Sequence, residues 1–347
     1  MPRSDGHGGG ARNGALAGGP DALMETAFTR HARVQVPLIC GPMYPCSNPE
    51  LVAAVSEAGG LGVVQPLSLT YVHGYEYRAG LRHIRSLTQQ PIGFNALIEG
   101  SNRTYLERMR LWIDVALEEG LRFFITSLGN PRWVCERVHA AGGVVYHDVT
   151  EARWAHKAVE GGVDGLIAVN SLAGGHAGTR TPEALLEELR PLGLPMVVAG
   201  GIGRAGQFAR YLRMGYAAAQ LGTRFIATWE CSASEAYKQA ILDASPDDIV
   251  LTERLTGVPV SVIRNEYVQR LGTRAGTFAR WMLRGRRRKH WMRTLYTLQS
   301  LRKLKHSLNC ADSGTDYWQA GKSVGGIDTL VPAAEVVRAF AAATSGL

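Results

Sequence analysis

Short apolar runs alternate with amphipathic stretches from Val34 to about Leu221. Eight runs read as strands, at residues 36–40, 61–64, 92–96, 123–126, 144–147, 165–169, 195–199 and 217–221. The segments between them carry helical spacing, with helices expected near 49–58 and over 151–160. Strand and helix alternating eight times predict an α/β protein, a (β/α)8 barrel of parallel strands. A doubly wound open sheet is the runner-up. It would prefer a dominant GxGxxG after the first strand, and that position reads Gly41-Pro42-Met43-Tyr44.

After Phe225 the pattern changes. Residues 232–243 read as a helix, and 246–263 are mixed around a Thr256-Gly257-Val258-Pro259 turn. Trp291, Leu295, Leu298, Leu301, Leu304 and Leu308 recur at three and four residues, which predicts an amphipathic helix with a basic outer face. Residues 225–314 are therefore expected to form a smaller helical domain over the rim of a barrel built from 31–224 and about 315–347. An Ala320-Gly321-Lys322-Ser323 turn and a helix from Pro332 would lead back to the barrel. Residues 1–30 are expected to be a disordered tail, rich in Gly and Ala up to about Pro20.

A chain of 347 residues with 46% hydrophobic content fits one large barrel plus a smaller unit. It contains neither a signal-peptide core nor an apolar run near the ~20 residues that span a bilayer. Five scattered cysteines (Cys40, Cys46, Cys135, Cys231, Cys310) form no CxxC pair, so neither a disulfide framework nor a zinc site is indicated. Reduced thiols in a cytoplasmic protein are the expectation. The net charge of +8 is concentrated: Arg264 to Lys305 holds thirteen Lys/Arg against one acid, Glu266, and the rest of the chain is net acidic. The densest run is Arg284-Gly285-Arg286-Arg287-Arg288-Lys289-His290-Trp291. It is a solvated basic face or a surface for an acidic partner, a CoA-like substrate or anionic lipid. No aromatic-interleaved sheet motif accompanies it, so nucleic acid is not the expected partner.

Three glycine-rich turns carry the candidate chemistry. Ala199-Gly200-Gly201-Ile202-Gly203 and Gln220-Leu221-Gly222-Thr223 end the seventh and eighth strands, where such barrels hold phosphate. Glycines let backbone N–H groups approach the anion, the next helix offers its positive end, and the Thr223 hydroxyl could close the site. Asn170-Ser171-Leu172-Ala173-Gly174-Gly175-His176 ends the sixth strand, and its small neighbours leave His176 open for proton transfer. Pro42 and Met43 after the first strand offer a rigid turn against a planar cofactor, with simple packing as the alternative. Asn95 in the third strand could donate and accept at a ring edge, or cap a turn. Asp148, beside His147, is read as the cap of the following helix rather than a contact to ligand hydroxyls. His139 and His156 read as surface residues on helices. No metal-ligand spacing, GxSxG or local Cys/His signature occurs.

Together these motifs resemble the nitronate monooxygenase (2-nitropropane dioxygenase-like) family, FMN-bound TIM-barrel enzymes similar to the flavin-dependent bacterial enoyl-acyl carrier protein reductases. The resemblance runs from about residue 36 to 244, with an echo at 320–327. It implies that His176 is the catalytic base. It also implies that Pro42, Met43, Asn95, Gly174, Gly175, Gly200, Gly201, Gln220, Leu221, Gly222 and Thr223 hold FMN. One departure stands out: where the family carries Gln-Gly-x-Glu, this chain reads Val169-Asn170-Ser171-Leu172, and Asn170 or Ser171 would have to substitute. The implied activity is oxidation of alkyl nitronates with O2 to a carbonyl compound and nitrite. The alternatives are NAD(P)H-dependent reduction of an enoyl thioester, with His176 as proton donor, and a non-catalytic flavin-binding protein recruited through its basic face.

Overall fold

The computed structural model describes residues 24–99, 103–254, 259–273 and 317–344. Eight parallel strands close a barrel in chain order. They are β1 (Leu38–Cys40), β2 (Leu61–Val64), β3 (Ile92–Leu97), β4 (Phe123–Ser127), β5 (Val144–Val149), β6 (Gly165–Val169), β7 (Met196–Ala199) and β8 (Ala218–Leu221). Every predicted strand is present, with its ends moved by no more than two residues. The register closes where Ile39 of β1 pairs with Gln220 of β8. Helices α2 (Pro49–Glu57), α3 (Tyr77–Leu87), α4 (Arg103–Glu118), α5 (Arg132–Ala140), α6 (Ala152–Glu160), α7 (Pro182–Leu189) and α8 (Ala205–Arg213) follow the first seven strands.

The strands bury both faces, which explains why they read as nearly unbroken apolar runs. Ile39, Leu61, Val63, Phe123, Ile125, Tyr146, Ile167, Val197 and Ala218 fill the barrel interior. Leu38, Val64, Phe94, Phe124, Val145, Leu166, Val198 and Ala219 belong to the outer layer beneath the helices. The period-two alternation between these sets decides which polar strand residues face inward.

A short helix, α1 (Ala27–Ala32), closes the N-terminal end. Thr26 and Thr29 cap its start reciprocally. Phe28 is fully buried, edge-on to Phe123 at 5.5 Å and to Tyr146 at 6.1 Å. His31 Nδ1 lies 3.1 Å from the Tyr146 hydroxyl. The expected tail to residue 30 is thus too long by several residues: Phe28 is the floor of the barrel, and the predicted disorder to Pro20 lies outside the described residues. The C-terminal end of the chain returns to the barrel as expected. After the short α9 (Thr223–Ile226) and the excursion beyond it, the closing helix (Ala333–Ala342, α12 below) packs on α2 and α8, with Phe340 against Phe208 at 5.3 Å.

Beyond the barrel, α10 (Glu235–Asp243) forms where expected. The mixed stretch after it is an antiparallel hairpin of β9 (Ile249–Thr252) and β10 (Val260–Ile263), followed by α11 (Glu266–Leu271). The appended unit is therefore not purely helical in its described part. The predicted 291–308 helix and the Arg284–Trp291 basic run lie outside the described residues. Among the described residues no helix is long and apolar enough to cross a membrane. Cys40, Cys46, Cys135 and Cys231 are buried free thiols.

Candidate active site

With the floor plugged, the C-terminal mouth is where polar groups gather. In β3, Phe94 and Ala96 pack outward, so Asn95 faces in. In β8, Ala219 and Leu221 pack outward and Gln220 faces in. In β5, Val145 and Val149 pack outward while Tyr146 fills the interior, which turns Asp148 inward as well. Asn95 Oδ1, Asp148 Oδ1 and Gln220 Oε1 are buried acceptors with no hydrogen-bond partner among the described residues. Each such atom costs about 1–3 kcal/mol. Three of them around one opening mark a surface shaped for a polar ligand. The expected helix cap at Asp148 is corrected here: α6 starts at Ala152 with Glu151 at the cap position, and Asp148 is still in the barrel wall. His147 faces the other way. It is buried against the Thr126 hydroxyl at 2.8 Å, and burial pushes its pKa down to about 4.

The His176 turn is clamped from two sides. A Cβ added at Gly174 would stand 2.9 Å from the backbone N of Gly321, so the two chain segments touch backbone to backbone. On the other side Ser261 N–H of β10 donates to Gly175 O at 2.8 Å, and Ile263 N–H donates to Trp318 O at 2.9 Å. His176 keeps an exposed surface, yet protein crowds it enough that desolvation lowers its pKa below the ordinary imidazole value. His139 and His156 lie on α5 and α6 with exposed surfaces, as expected.

Asn170 does not face the ligand. It is fully buried, its Nδ2 donates to Gly200 O at 3.1 Å, and its Oδ1 accepts from Leu172 N at 2.8 Å. Its amide braces the β6 turn against the β7 turn, and full burial keeps it from standing in for the family glutamine at the mouth. That tie brings the turns so close that a Cβ on Gly200, at φ +115°, would stand 2.6 Å from Ala173 N. Only glycine satisfies both the dihedral and the space.

The N–H groups of Gly200, Gly201 and Gly222 donate to no group among the described residues and are available to an anion. Just ahead of α8, Gln207 Oε1 accepts from both Gly203 N–H (2.9 Å) and Arg204 N–H (3.0 Å), so those two amides are already spent. Thr223 Oγ1 accepts from Gly321 N–H at 3.0 Å and keeps its own proton to give. Leu221 turns its side chain into the outer core, and its carbonyl accepts from Gly41 N–H at 2.9 Å. Met43 uses its backbone inside its own loop, with N–H to Ser47 Oγ (2.9 Å) and C=O from Ser47 N–H (2.8 Å). Its half-buried side chain is what it offers the mouth, with Sδ 3.5 Å from where a Gly222 Cβ would stand; Pro42 beside it is half-buried too. No cluster of metal-ligating side chains occurs among the described residues.

Sequence reasoning missed Gly321, Ser261 and the inward turn of Asp148. The last was readable from its two-residue offset from Tyr146.

A sequence model described as nitronate monooxygenase matches residues 25–342. A (3aS,4S,5R,7aS)-5-hydroxy-7a-methyl-1-oxo-octahydro-1H-indene-4-carboxyl-CoA dehydrogenase of Mycobacterium tuberculosis is 29% identical over 262 residues, 74% of this chain and 71% of that protein. A nitronate monooxygenase of Pseudomonas aeruginosa is 30% identical over 277 residues, 67% of this chain and 78% of that protein. Among solved structures, FabK from Thermotoga maritima superposes with a TM-score of 0.73 at 26% identity, covering 92% of this chain and 96% of the other. Nitroalkane oxidase from Streptomyces ansochromogenes gives 0.70 at 25% identity, with 92% and 98% coverage.

Proposed function

Because the chain belongs to the nitronate monooxygenase family and is an oxidoreductase of that kind, we propose that it binds FMN and oxidises alkyl nitronates with O2 to a carbonyl compound and nitrite. The observation that carries this reading is His176, exposed on the turn after β6 with desolvation lowering its pKa below the ordinary imidazole value. A neutral imidazole would take the proton from a nitroalkane carbon next to the nitro group, and would hold a substrate that arrives already as the nitronate anion with no proton to remove.

The residues of the mouth fit FMN. The unspent N–H groups of Gly200, Gly201 and Gly222 and the Thr223 hydroxyl would hold its phosphate. The Asn95 and Gln220 amides, whose oxygens lack a partner, would meet the ring edges, and the Met43 side chain would pack on its face. When bound, the flavin supplies the electron transfer and the reaction with O2. The protein's share is to hold the ring and place the substrate carbon against His176, which takes a proton only from a substrate that arrives as the neutral nitroalkane.

A thioester reading is second, and a specific similarity favours it: the Mycobacterium tuberculosis relative is named a dehydrogenase of a CoA thioester. The thirteen basic residues between Arg264 and Lys305 suit the phosphates of CoA or an acidic carrier protein. His176 would then move a proton at a carbon conjugated with the thioester carbonyl, and NAD(P)H would be the reductant of an enoyl substrate.

The test is anaerobic mixing of the purified flavoprotein with a small alkyl nitronate, with NADPH and with an acyl-CoA, while the flavin bands are followed. Spectral change with nitronate and none with NADPH supports nitronate oxidation. Bleaching by NADPH or by acyl-CoA, with no response to nitronate, replaces it with the thioester reading. A purified protein that neither carries nor takes up flavin refutes both.

A further inference from the structure

We propose that Asp148 is a hydrogen-bond donor to the bound flavin ring, its carboxylic acid facing the barrel mouth from β5 beside Asn95 on β3 and Gln220 on β8. This rests on the FMN reading above and adds a residue to it.

The placement comes first. Asp148 sits one residue before the end of β5, and the alternation with Tyr146 sends its side chain inward. It retains some accessible surface, yet Oδ1 has no partner, and Asp148 takes part in none of the ion pairs among the described residues. The neighbouring wall holds no cation among the described residues to pair with a carboxylate. Gln65 follows β2, Asn95 lies on β3, Ser127 on β4, Val169 on β6 and Gln220 on β8; none carries a charge. Among the described residues His176, on the turn after β6, is a titratable group at this rim, and desolvation lowers its pKa below the ordinary imidazole value. Burial alone raises the Asp148 pKa to about 7.

The chemistry follows. Asn95 Oδ1 and Gln220 Oε1 already offer two acceptors without a donor opposite. An isoalloxazine edge presents more acceptors than donors, so a protonated carboxyl complements it where a third acceptor would not. The environments of His176 and Asp148 are pushed in opposite directions, one to a free base and one to a loaded acid, as in sites where two ionisable groups have divided roles. His176 is on a turn above the wall and meets the substrate, whereas Asp148 shares the wall with the two amides assigned to the ring. A donor aimed at a ring acceptor favours the electron-rich reduced flavin over the oxidised one.

The experiment compares wild-type holoenzyme with Asp148→Asn and Asp148→Leu by flavin midpoint potential from pH 6 to 9 and by FMN affinity. Asp148→Asn keeps a neutral donor, so its potential should match wild type at pH 6 and miss the extra fall that wild type shows as pH rises past about 7. Asp148→Leu should have a lower potential and bind FMN about fivefold to tenfold more weakly, the worth of one hydrogen bond. If both variants hold FMN with wild-type potential and affinity, the proposal is wrong while the FMN reading stands. A change confined to the KM of the nitronate would move Asp148 to the substrate and equally overturn it. A wild-type protein without FMN removes the reading underneath. Should Asp148→Leu fail to fold by circular dichroism, the pH dependence of Asp148→Asn decides alone.

Discussion

The carbonyl of Gly175 accepts a hydrogen bond from Ser261 N–H at 2.8 Å, which ties the turn carrying His176 to a strand 86 positions further along the chain. Since the Ser261 N–H points away from β9, a proline there spares the hairpin ladder and removes only this tie. Ser261→Pro should lower kcat about fivefold, one hydrogen bond's worth, with FMN affinity unchanged. Ser261→Ala, which keeps the N–H, should behave as wild type. Equal kinetics in both variants would show that the hairpin does not steady the histidine.

His176→Gln should retain flavin, because the side chain lies outside the phosphate turns, and lose about 10²–10⁴ in kcat/KM with a neutral nitroalkane as substrate. The acid limb of the wild-type pH profile should fall below the ordinary imidazole pKa, since desolvation favours the neutral ring. A limb at or above that value would mean that the base is solvated or is another group.

Gly200→Ala places a Cβ 2.6 Å from Ala173 N at a φ of +115°. The strain is on the order of 1–3 kcal/mol, and it falls on the junction of two turns that Asn170 braces. The purified variant should carry little FMN by its visible absorbance while keeping the barrel's circular dichroism. Full occupancy would detach the β7 turn from the phosphate.

Adjacent residues of β5 should pull stability in opposite directions with pH. His147 is buried neutral with its pKa pushed to about 4, so the unfolded chain binds more protons between its ordinary value and 4. That contribution is intact above the ordinary value and is lost as pH falls through the window. Asp148, raised to about 7, binds its proton more tightly when folded; its penalty is absent below the ordinary carboxyl value and complete above about 7. Asp148→Asn should therefore raise Tm at pH 8, by up to a few kcal/mol of stability on the order expected for such a shift, and do little at pH 4. His147→Gln should gain on wild type as pH falls from 6.5 to 4. Thermal melts across pH check both signs, and a pH-independent gap for either variant refutes its assignment.

The barrel was legible because each strand is buried on both faces and so writes itself as an apolar run, and because Gly200, Gly201 and Gly222 stand directly after such runs. The hairpin was not. In β9, Leu251 is exposed and Ile249 and Val250 are half-buried, so the run lacks a clear face, although Thr256-Gly257-Val258-Pro259 marked the turn. Asp148 was misread because proximity to α6 outweighed its two-residue step from Tyr146. Asn170 stands in a family ligand position, and only its three-dimensional setting shows both ends of its amide turned into the protein. The contacts of Gly174 with Gly321 and of Gly175 with Ser261 join residues far apart in the chain, and no local pattern announces them.

Phe28, wedged under Phe123 and Tyr146, closes the N-terminal end of the barrel among the described residues. A ligand that meets His176 at the opposite rim would arrive and depart on one side, so a slow-departing product would inhibit competitively against the next substrate.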